Sequence, residues 1–479
     1  MSTAQRLFKN TVILTLANAI QPVISFYLIV TISRVLKVEG FGEYNTILKY
    51  VAIFQIIAAF GLRNLLTREI AQNKTEAPRY LAAGSSIAVA FGLASAALMS
   101  VLAIIVSDDP FVIRGTIYAS LSLVAAALAE AYEGVISGFE KLSHIGYASV
   151  LENFVRVGLS LAVVYNGNGV MALIGVYVIT RYLKPLYYWI YINKHIARPF
   201  GAVHWPFIKE LLMQARIFAL ITVCVIIYWN VDGIMLEAMR SKEEVGYYAA
   251  AYRFLLLSLV LVDSFVNSLF PVMSSFFKSS EASFEMACRK SLRMLGLVTL
   301  PVAIALSLLA EKIILLFYGA PYLASARVLQ VLIWALIPYG ISQIFAYALV
   351  ASNNQRIDLI VNAVSMVLNF LLNLLLISRF GFMGATVAAL ISIAIYVGLQ
   401  MPFVFRRLIK FKFKEMLGGF VRVALSALAM STFIFLLRDI NVLAVLPLSF
   451  LVYAMSAYLF GVISENDQAL IFRLIKKTA

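Results

Sequence analysis

The chain has 479 residues, of which 62% are hydrophobic and 13% charged, against roughly 45–50% and about 25% in soluble domains. Such a composition excludes large aqueous catalytic domains and describes an all-α protein embedded in lipid. The formal net charge of +15 does not point to nucleic acid, because Lys and Arg cluster in the short connectors between apolar runs, where they set membrane orientation.

Runs able to cross a bilayer, which takes about 20 residues, lie at 12–33, 46–66, 81–106, 114–137, 146–165, 170–193, 215–238, 250–272, 292–317, 326–350, 357–377, 382–406, 417–438 and 442–463. Arg6 and Lys9 precede the first run, which has no Ala-x-Ala-like cleavage signal and reads as an uncleaved span. With a cytoplasmic N-terminus, 23 Lys and Arg fall on the cytoplasmic side, Arg473, Lys476 and Lys477 among them, and 8 on the other. That bias, with an even number of spans, favours both termini inside. No outward connector is long enough to form a domain. Tyr187, Tyr188, Trp189 and Tyr191, where the sixth span meets the cytoplasm, read as an interfacial aromatic belt. Cys224 and Cys288 are the only cysteines, too few for a disulfide framework or a thiolate metal site.

The chain also resembles itself. Glu39-Gly40-Phe41-Gly42-Glu43-Tyr44, after the first span, recurs as Glu244-Val245-Gly246-Tyr247-Tyr248 after the seventh, with Gly42 to Gly246 and Tyr44 to Tyr248 both offset by 204. Six spans separate the equivalents, so both halves enter the membrane from the same side as parallel repeats about an axis along its normal.

These stretches, with Gly61-Leu62-Arg63, Arg68-Glu69, Asp232-Gly233-Ile234-Met235-Leu236, Ala249 to Arg253, Pro271, and Asn354 through Asn369 to Phe380-Gly381-Phe382-Met383-Gly384-Ala385, stand in order along nearly the whole chain. In this order they resemble the multidrug/oligosaccharidyl-lipid/polysaccharide exporter superfamily, and within it the O-antigen type of polysaccharide-repeat flippase. The resemblance implies an N-terminal six-helix lobe over 1–200, a second over 201–410, two additional helices over 411–479, and a cationic cavity between the lobes. It implies a bacterial inner-membrane protein that moves undecaprenyl-pyrophosphate-linked oligosaccharide outward, among membrane lipids and alongside polysaccharide polymerase machinery. Peptidoglycan-precursor flippases share the fourteen-span plan. Multidrug/cation antiporters of the superfamily normally stop at twelve spans and centre on an acidic pocket.

A charge at bilayer centre costs about 2.5–3.5 kcal/mol, so ionisable residues in mid-span need a partner, water or a task. The fifth span carries Glu152 and Arg156 four apart, the sixth Arg181 and Lys184, and the fourth Glu130 and Glu133. These six are nearly neutral together. On one reading Glu152 pairs with Arg156 across a turn and Arg181 ties its helix to Glu130. On the other, Arg156, Arg181 and Lys184 meet phosphate or acidic sugars, which guanidinium binds bidentately. Pro185 should kink the sixth span.

In the eleventh span Asn362, Ser365, Asn369 and Asn373 share a face, and an offset of 213 places Ser365 on Glu152 and Asn369 on Arg156. These amides either contact sugar hydroxyls or join helices. Arg63 and Arg253, near span ends, are further substrate candidates through the family's cationic cavity. Asp263, in mid-span without a sequence-local partner, is the leading coupling-ion candidate. Asp232 is the second, with Arg253 as its expected partner. His144, His195 and His204 all lie in connectors, and phosphate loops and nucleophile elbows are missing. No cofactor, metal or covalent chemistry is expected. A polymerase or ligase would need a sizeable outward loop.

Overall fold

The computed structural model describes residues 3–196, 205–352, 354–408 and 413–462. The expected lobe boundaries at 200 and 410, His204, and the basic residues Arg473, Lys476 and Lys477 lie outside these. Among the described residues the secondary structure is helical: α1 (Thr3–Ala59), α2 (Leu62–Gln72), α3 (Ala77–Val106), α4 (Pro110–Ser120), α5 (Ser122–Gly138), α6 (Leu142–Tyr165), α7 (Val170–Arg181), α8 (Leu183–His195), α9 (Trp205–Met239), α10 (Lys242–Ser279), α11 (Glu281–Leu308), α12 (Ala310–Phe317), α13 (Ala324–Leu332), α14 (Leu336–Ala351), α15 (Gln355–Arg407), α16 (Phe413–Leu436) and α17 (Val442–Leu459).

Among the described residues ten helical segments are long and apolar enough to cross a membrane. Two of them, 24–72 and 356–406, each hold two of the predicted spans, parted at Lys37 and at Gly381, where φ turns positive. The predicted seventh and thirteenth spans fall in α9 and α16. The chain is a multi-pass membrane protein, and its described helices account for the fourteen expected spans.

Several spans that read as continuous are broken. Ser120 and Ser122 turn their hydroxyls back onto the carbonyls of Ile117 and Ala119, which competes with helix propagation, and α4 gives way to α5 at Leu121. Pro185 has no N–H for the carbonyl of Arg181, and α7 ends at Arg181 with Tyr182 between it and α8. The two breaks meet, since the Tyr182 hydroxyl donates to the Leu121 carbonyl at 2.8 Å. Asp109 caps α4 through the Phe111 N–H at 2.9 Å, with Pro110 in the first turn.

Two compact units make up the chain, one of Met1–Ala249 with Asn373–Phe382, the other of Ala250–Leu372 with Met383–Ala479. Within the first unit the two repeat motifs pack on each other. A Cβ on Gly42 would collide with the Lys242 carbonyl, and a Cβ on Gly246 with the Val38 carbonyl. The offset of 204 relates Gly42 to Gly246 and also Val38 to Lys242, so the contact is reciprocal and a local twofold axis passes between the motifs. Around it Lys242 reaches Asp109 at 2.6 Å, Glu43 at 2.8 Å and Glu39 at 3.7 Å. Burial pulls the Asp109 carboxyl upward, but Lys242 and the Phe111 N–H outweigh it and hold it below its ordinary value. Beside it Glu244 accepts from the Phe382 N–H at 2.7 Å and Arg240 donates to the carbonyls of Ile377 and Ser378.

Because backbone faces backbone at this contact, a methyl group there cannot be absorbed by a side-chain rotation. Gly246→Ala is expected to destabilise the detergent-solubilised protein by about 1–3 kcal/mol, read as a fall in melting temperature. Gly158→Ala, where a Cβ meets nothing within 4 Å, should leave it unchanged or slightly raised.

Candidate functional site

In the first unit five of the intramembrane charges form one alternating row. α5 supplies Glu133 and α6 supplies Glu152. α2 supplies Arg63, while α7 and α8 supply Arg181 and Lys184 on either side of the Tyr182 break. Arg63 Nη1 lies 3.1 Å from Glu133 Oε2. Lys184 Nζ lies 3.8 Å from Glu133 Oε1 and 3.4 Å from Glu152 Oε2, so it bridges the two acids. Arg181 Nη1 lies 3.4 Å from Glu152 Oε1. Neutral groups complete the row. The Tyr188 hydroxyl donates to Glu133 at 2.9 Å, while Arg181 donates to Gln55 at 3.1 Å and to the Tyr177 hydroxyl at 2.8 Å. Tyr177 is one turn before Arg181, which also sets the guanidinium 4.9 Å from the ring centroid.

Exposure separates the two signs. The Glu133 and Glu152 side chains are 7% and 6% exposed, against 45%, 20% and 22% for Arg63, Lys184 and Arg181. The acids are therefore buried among the helices and the cations are the more exposed partners. Arg156 lies one turn after Glu152 on α6. Among the described residues it has no carboxylate partner. It donates to Asn153 at 3.0 Å, and its Nε is buried without a hydrogen bond. An Arg in that state has donors to give to an anion, and its charge persists whatever its surroundings.

Three expectations change. Glu152 pairs with Arg181 and Lys184, not with Arg156, because Arg156 turns along its own helix to Asn153. Arg181 takes Glu152 as its ion-pair partner in place of Glu130. Tyr188, read as interfacial, is fully buried, because it lies one turn after Lys184 on the face that meets Glu133. Gln55 was also missed, though an amide within an apolar run was a visible signal.

Asp232 likewise has a different partner from the one expected. Lys49 Nζ lies 2.6 Å from its Oδ1 and the Tyr248 hydroxyl donates to its Oδ2 at 2.5 Å. Arg253 instead lies near the phenol of Tyr318. Lys49 went unread, yet it stands 204 positions before Arg253 and is its repeat equivalent. In the second unit Asp263 accepts from Tyr339 at 2.7 Å and Asn369 donates to Ser392 at 3.1 Å. Ser365 and Asn369 are buried there, and Asn373 is wholly buried in the first unit. Among the described residues no group of three His, Cys, Asp or Glu side chains could hold a metal ion.

Residues 7–277, more than half of the chain, match the family described as polysaccharide biosynthesis protein. The chain belongs to that family. Residues 218–375 also match the MatE family. A Haloferax volcanii protein named as a low-salt glycan biosynthesis flippase, Agl15, is 21% identical over 480 residues, covering 99% of this chain and 98% of its own. A Shigella flexneri protein named as an O-antigen transporter is 21% identical over 403 residues, covering 80% and 94%. The inward closed conformation of the lipid II flippase MurJ superposes with a TM-score of 0.77 at 17% identity, over 94% of this chain and 99% of its own. An inward-facing multidrug MATE transporter gives 0.69 at 14% identity, over 81% and 94%. The fold of this polysaccharide biosynthesis family member is that of the MOP transporter superfamily, which also unites the lipid-linked sugar flippases and drug antiporters that the sequence motifs resemble.

Glu152 serves two cations, so its loss is felt twice. Glu152→Gln should destabilise the protein by about 2 kcal/mol, between the surface and buried limits for ion pairs. Adding Lys184→Met should recover part of that loss, and thermal unfolding of both variants in detergent checks it.

Proposed function

We propose that the chain flips undecaprenyl-pyrophosphate-linked oligosaccharide repeat units from the cytoplasmic to the outer leaflet of a bacterial inner membrane. Its two six-helix lobes, 1–200 and 201–410, alternate about the repeat axis, with both termini cytoplasmic. The observation that carries this reading is the cation face of the first unit, whose acids lie behind Arg63, Arg181 and Lys184 and which includes Arg156 without an acid at all. Such a face receives an anion. Bidentate N–H pairs from guanidinium suit the pyrophosphate, while Glu133 and Glu152 hold the arginines in position between turnovers.

Site electrostatics favour this over a drug/cation antiporter, since a cationic drug would meet like charge. Peptidoglycan precursors share the lipid pyrophosphate, and the family match to polysaccharide biosynthesis supports the polysaccharide substrate over them. Asn369 is left out of the substrate face because its amide is already bonded to Ser392. The polyprenyl tail stays in lipid, with α16 and α17 as its guide. Arg422, an exposed charge on α16, donates to the Gly461 carbonyl at 3.2 Å. No covalent step is required, and the polysaccharide polymerase machinery acts after transfer.

Deleting the gene should trap lipid-linked repeats in the cytoplasmic leaflet, as read by leaflet-specific labelling, with loss of surface polysaccharide. Plasmid-borne wild type should restore export. Arg156→Ala should reach the membrane in normal amount yet export about 10–100-fold less, the worth of a lost charge-assisted hydrogen bond. Normal export by both Arg156→Ala and Arg181→Ala would make the row structural. Unchanged polysaccharide with increased sensitivity to cationic drugs would favour the antiporter.

A further inference from the structure

In the second unit, at one end of the packing of α11, α16 and α17, two arginines converge on adjacent backbone carbonyls. Arg422 of α16 donates to the Gly461 carbonyl at 3.2 Å, and Arg293 of α11 donates through Nη2 to the Val462 carbonyl. The backbone that carries them is fixed from within. Val423, Ala457 and Val462 are buried together, with Leu297 and Leu300 packed against them, so this core begins one residue after Arg422 and one turn after Arg293.

The two carbonyls follow the end of α17 at Leu459, where basic side chains satisfy acceptors that no further helical turn reaches. Capping explains where the arginines point and not the charge they bring. A helix C-terminus carries about half a negative charge, against two guanidiniums that stay positive whatever surrounds them. Among the described residues no Asp or Glu pairs with either one, whereas Arg63, Arg181 and Arg289 each have a carboxylate. A guanidinium has five N–H donors, and the buried Nε of Arg293 has no hydrogen-bond partner. The pair can therefore take an anion.

Depth and surroundings favour one kind. The apolar stretch of α16 is Val421–Leu436, and the predicted ninth span starts at 292. Both arginines thus stand where apolar helix begins, the level of lipid headgroups. Arg422 is exposed, and beyond it α16 and α17 present Leu425, Leu428, Met455 and Tyr458 outward. A phosphate at the arginines with its acyl chains along those side chains uses both parts of this surface, whereas a soluble anion would use only the first.

We infer that Arg293 and Arg422 form a binding site for the phosphate of an anionic membrane lipid whose chains lie along α16 and α17. Charge-assisted N–H donors hold the phosphate oxygens, and the lipid joins the three helices at this end. The site does not depend on what the chain transports.

The test is thermal unfolding of the purified full chain in detergent, titrated with phosphatidylglycerol or phosphatidylcholine, and separately with polyprenyl phosphate or the matching alcohol. Phosphatidylglycerol should raise the melting temperature more than phosphatidylcholine, because a ligand of the folded state stabilises it, and the difference should shrink as salt rises. Arg422→Gln should weaken the apparent affinity about 5-fold, the worth of one basic residue near anionic headgroups, and Arg293→Gln/Arg422→Gln should abolish the preference. The exposed Arg422 makes the single variant the one to rely on if the double variant does not fold. Arg438→Gln, at the other end of α16, should respond as wild type does, which separates a site from general attraction to a basic protein. A preference for polyprenyl phosphate over its alcohol, with none for phosphatidylglycerol, would keep the site and make the polyprenyl lipid its ligand. A wild type indifferent to the charged member of both pairs, or an undiminished preference in Arg422→Gln, would overturn it.

Discussion

Charge in a membrane must be held by something, and here two sunken carboxylates do the holding. Glu133 and Glu152 tie α2, α5, α6, α7 and α8 together through Arg63, Lys184 and Arg181. Each acid has two cation partners, so removing one cation leaves it singly paired, whereas removing Glu152 takes from Arg181 its ion-pair partner. The second change costs more, because an unpaired buried charge carries its full desolvation penalty. The same geometry leaves the positive ends outermost, so stability and anion attraction come from one arrangement.

The second constraint is the approach of two backbones at Gly42 and Gly246. Their reciprocity follows from the internal repeat, since the same short motif appears in both halves and meets its copy. Lys242 gathers Glu39, Glu43 and Asp109 beside this contact. Like the charge row, it fixes helix positions through a few directional contacts, as expected where lipid offers no hydrophobic drive between helices.

Much of this was legible in the sequence. Apolar runs gave fourteen helices and the recurring Gly-x-Tyr motif gave parallel halves, because length in a bilayer and the spacing of equivalents are one-dimensional properties. Partner choice was not legible. Glu152 and Arg156 stand at ideal helical spacing, yet Glu152 turns to Arg181 and Lys184, which approach only because α7 breaks before Pro185. Asp232 finds Lys49, 183 positions earlier, since α1 and α9 pack together. Tyr188 read as interfacial because its neighbours are, and only the facing of α8 toward Glu133 shows it to be interior. Periodicity gives the face of a helix, whereas the partner of that face depends on how helices distant in sequence are assembled.

The account stands or falls on whether the cation face binds pyrophosphate. The deciding measurement compares the affinity of the purified protein for a polyprenyl pyrophosphate with that for the matching polyprenyl alcohol, in wild type and in Arg156→Ala/Arg181→Ala. The pyrophosphate should bind at least about 10-fold more tightly to wild type, with a margin that narrows as salt rises and disappears in the variant. Equal affinity for the two lipids in wild type, or an undiminished margin in the variant, would contradict it.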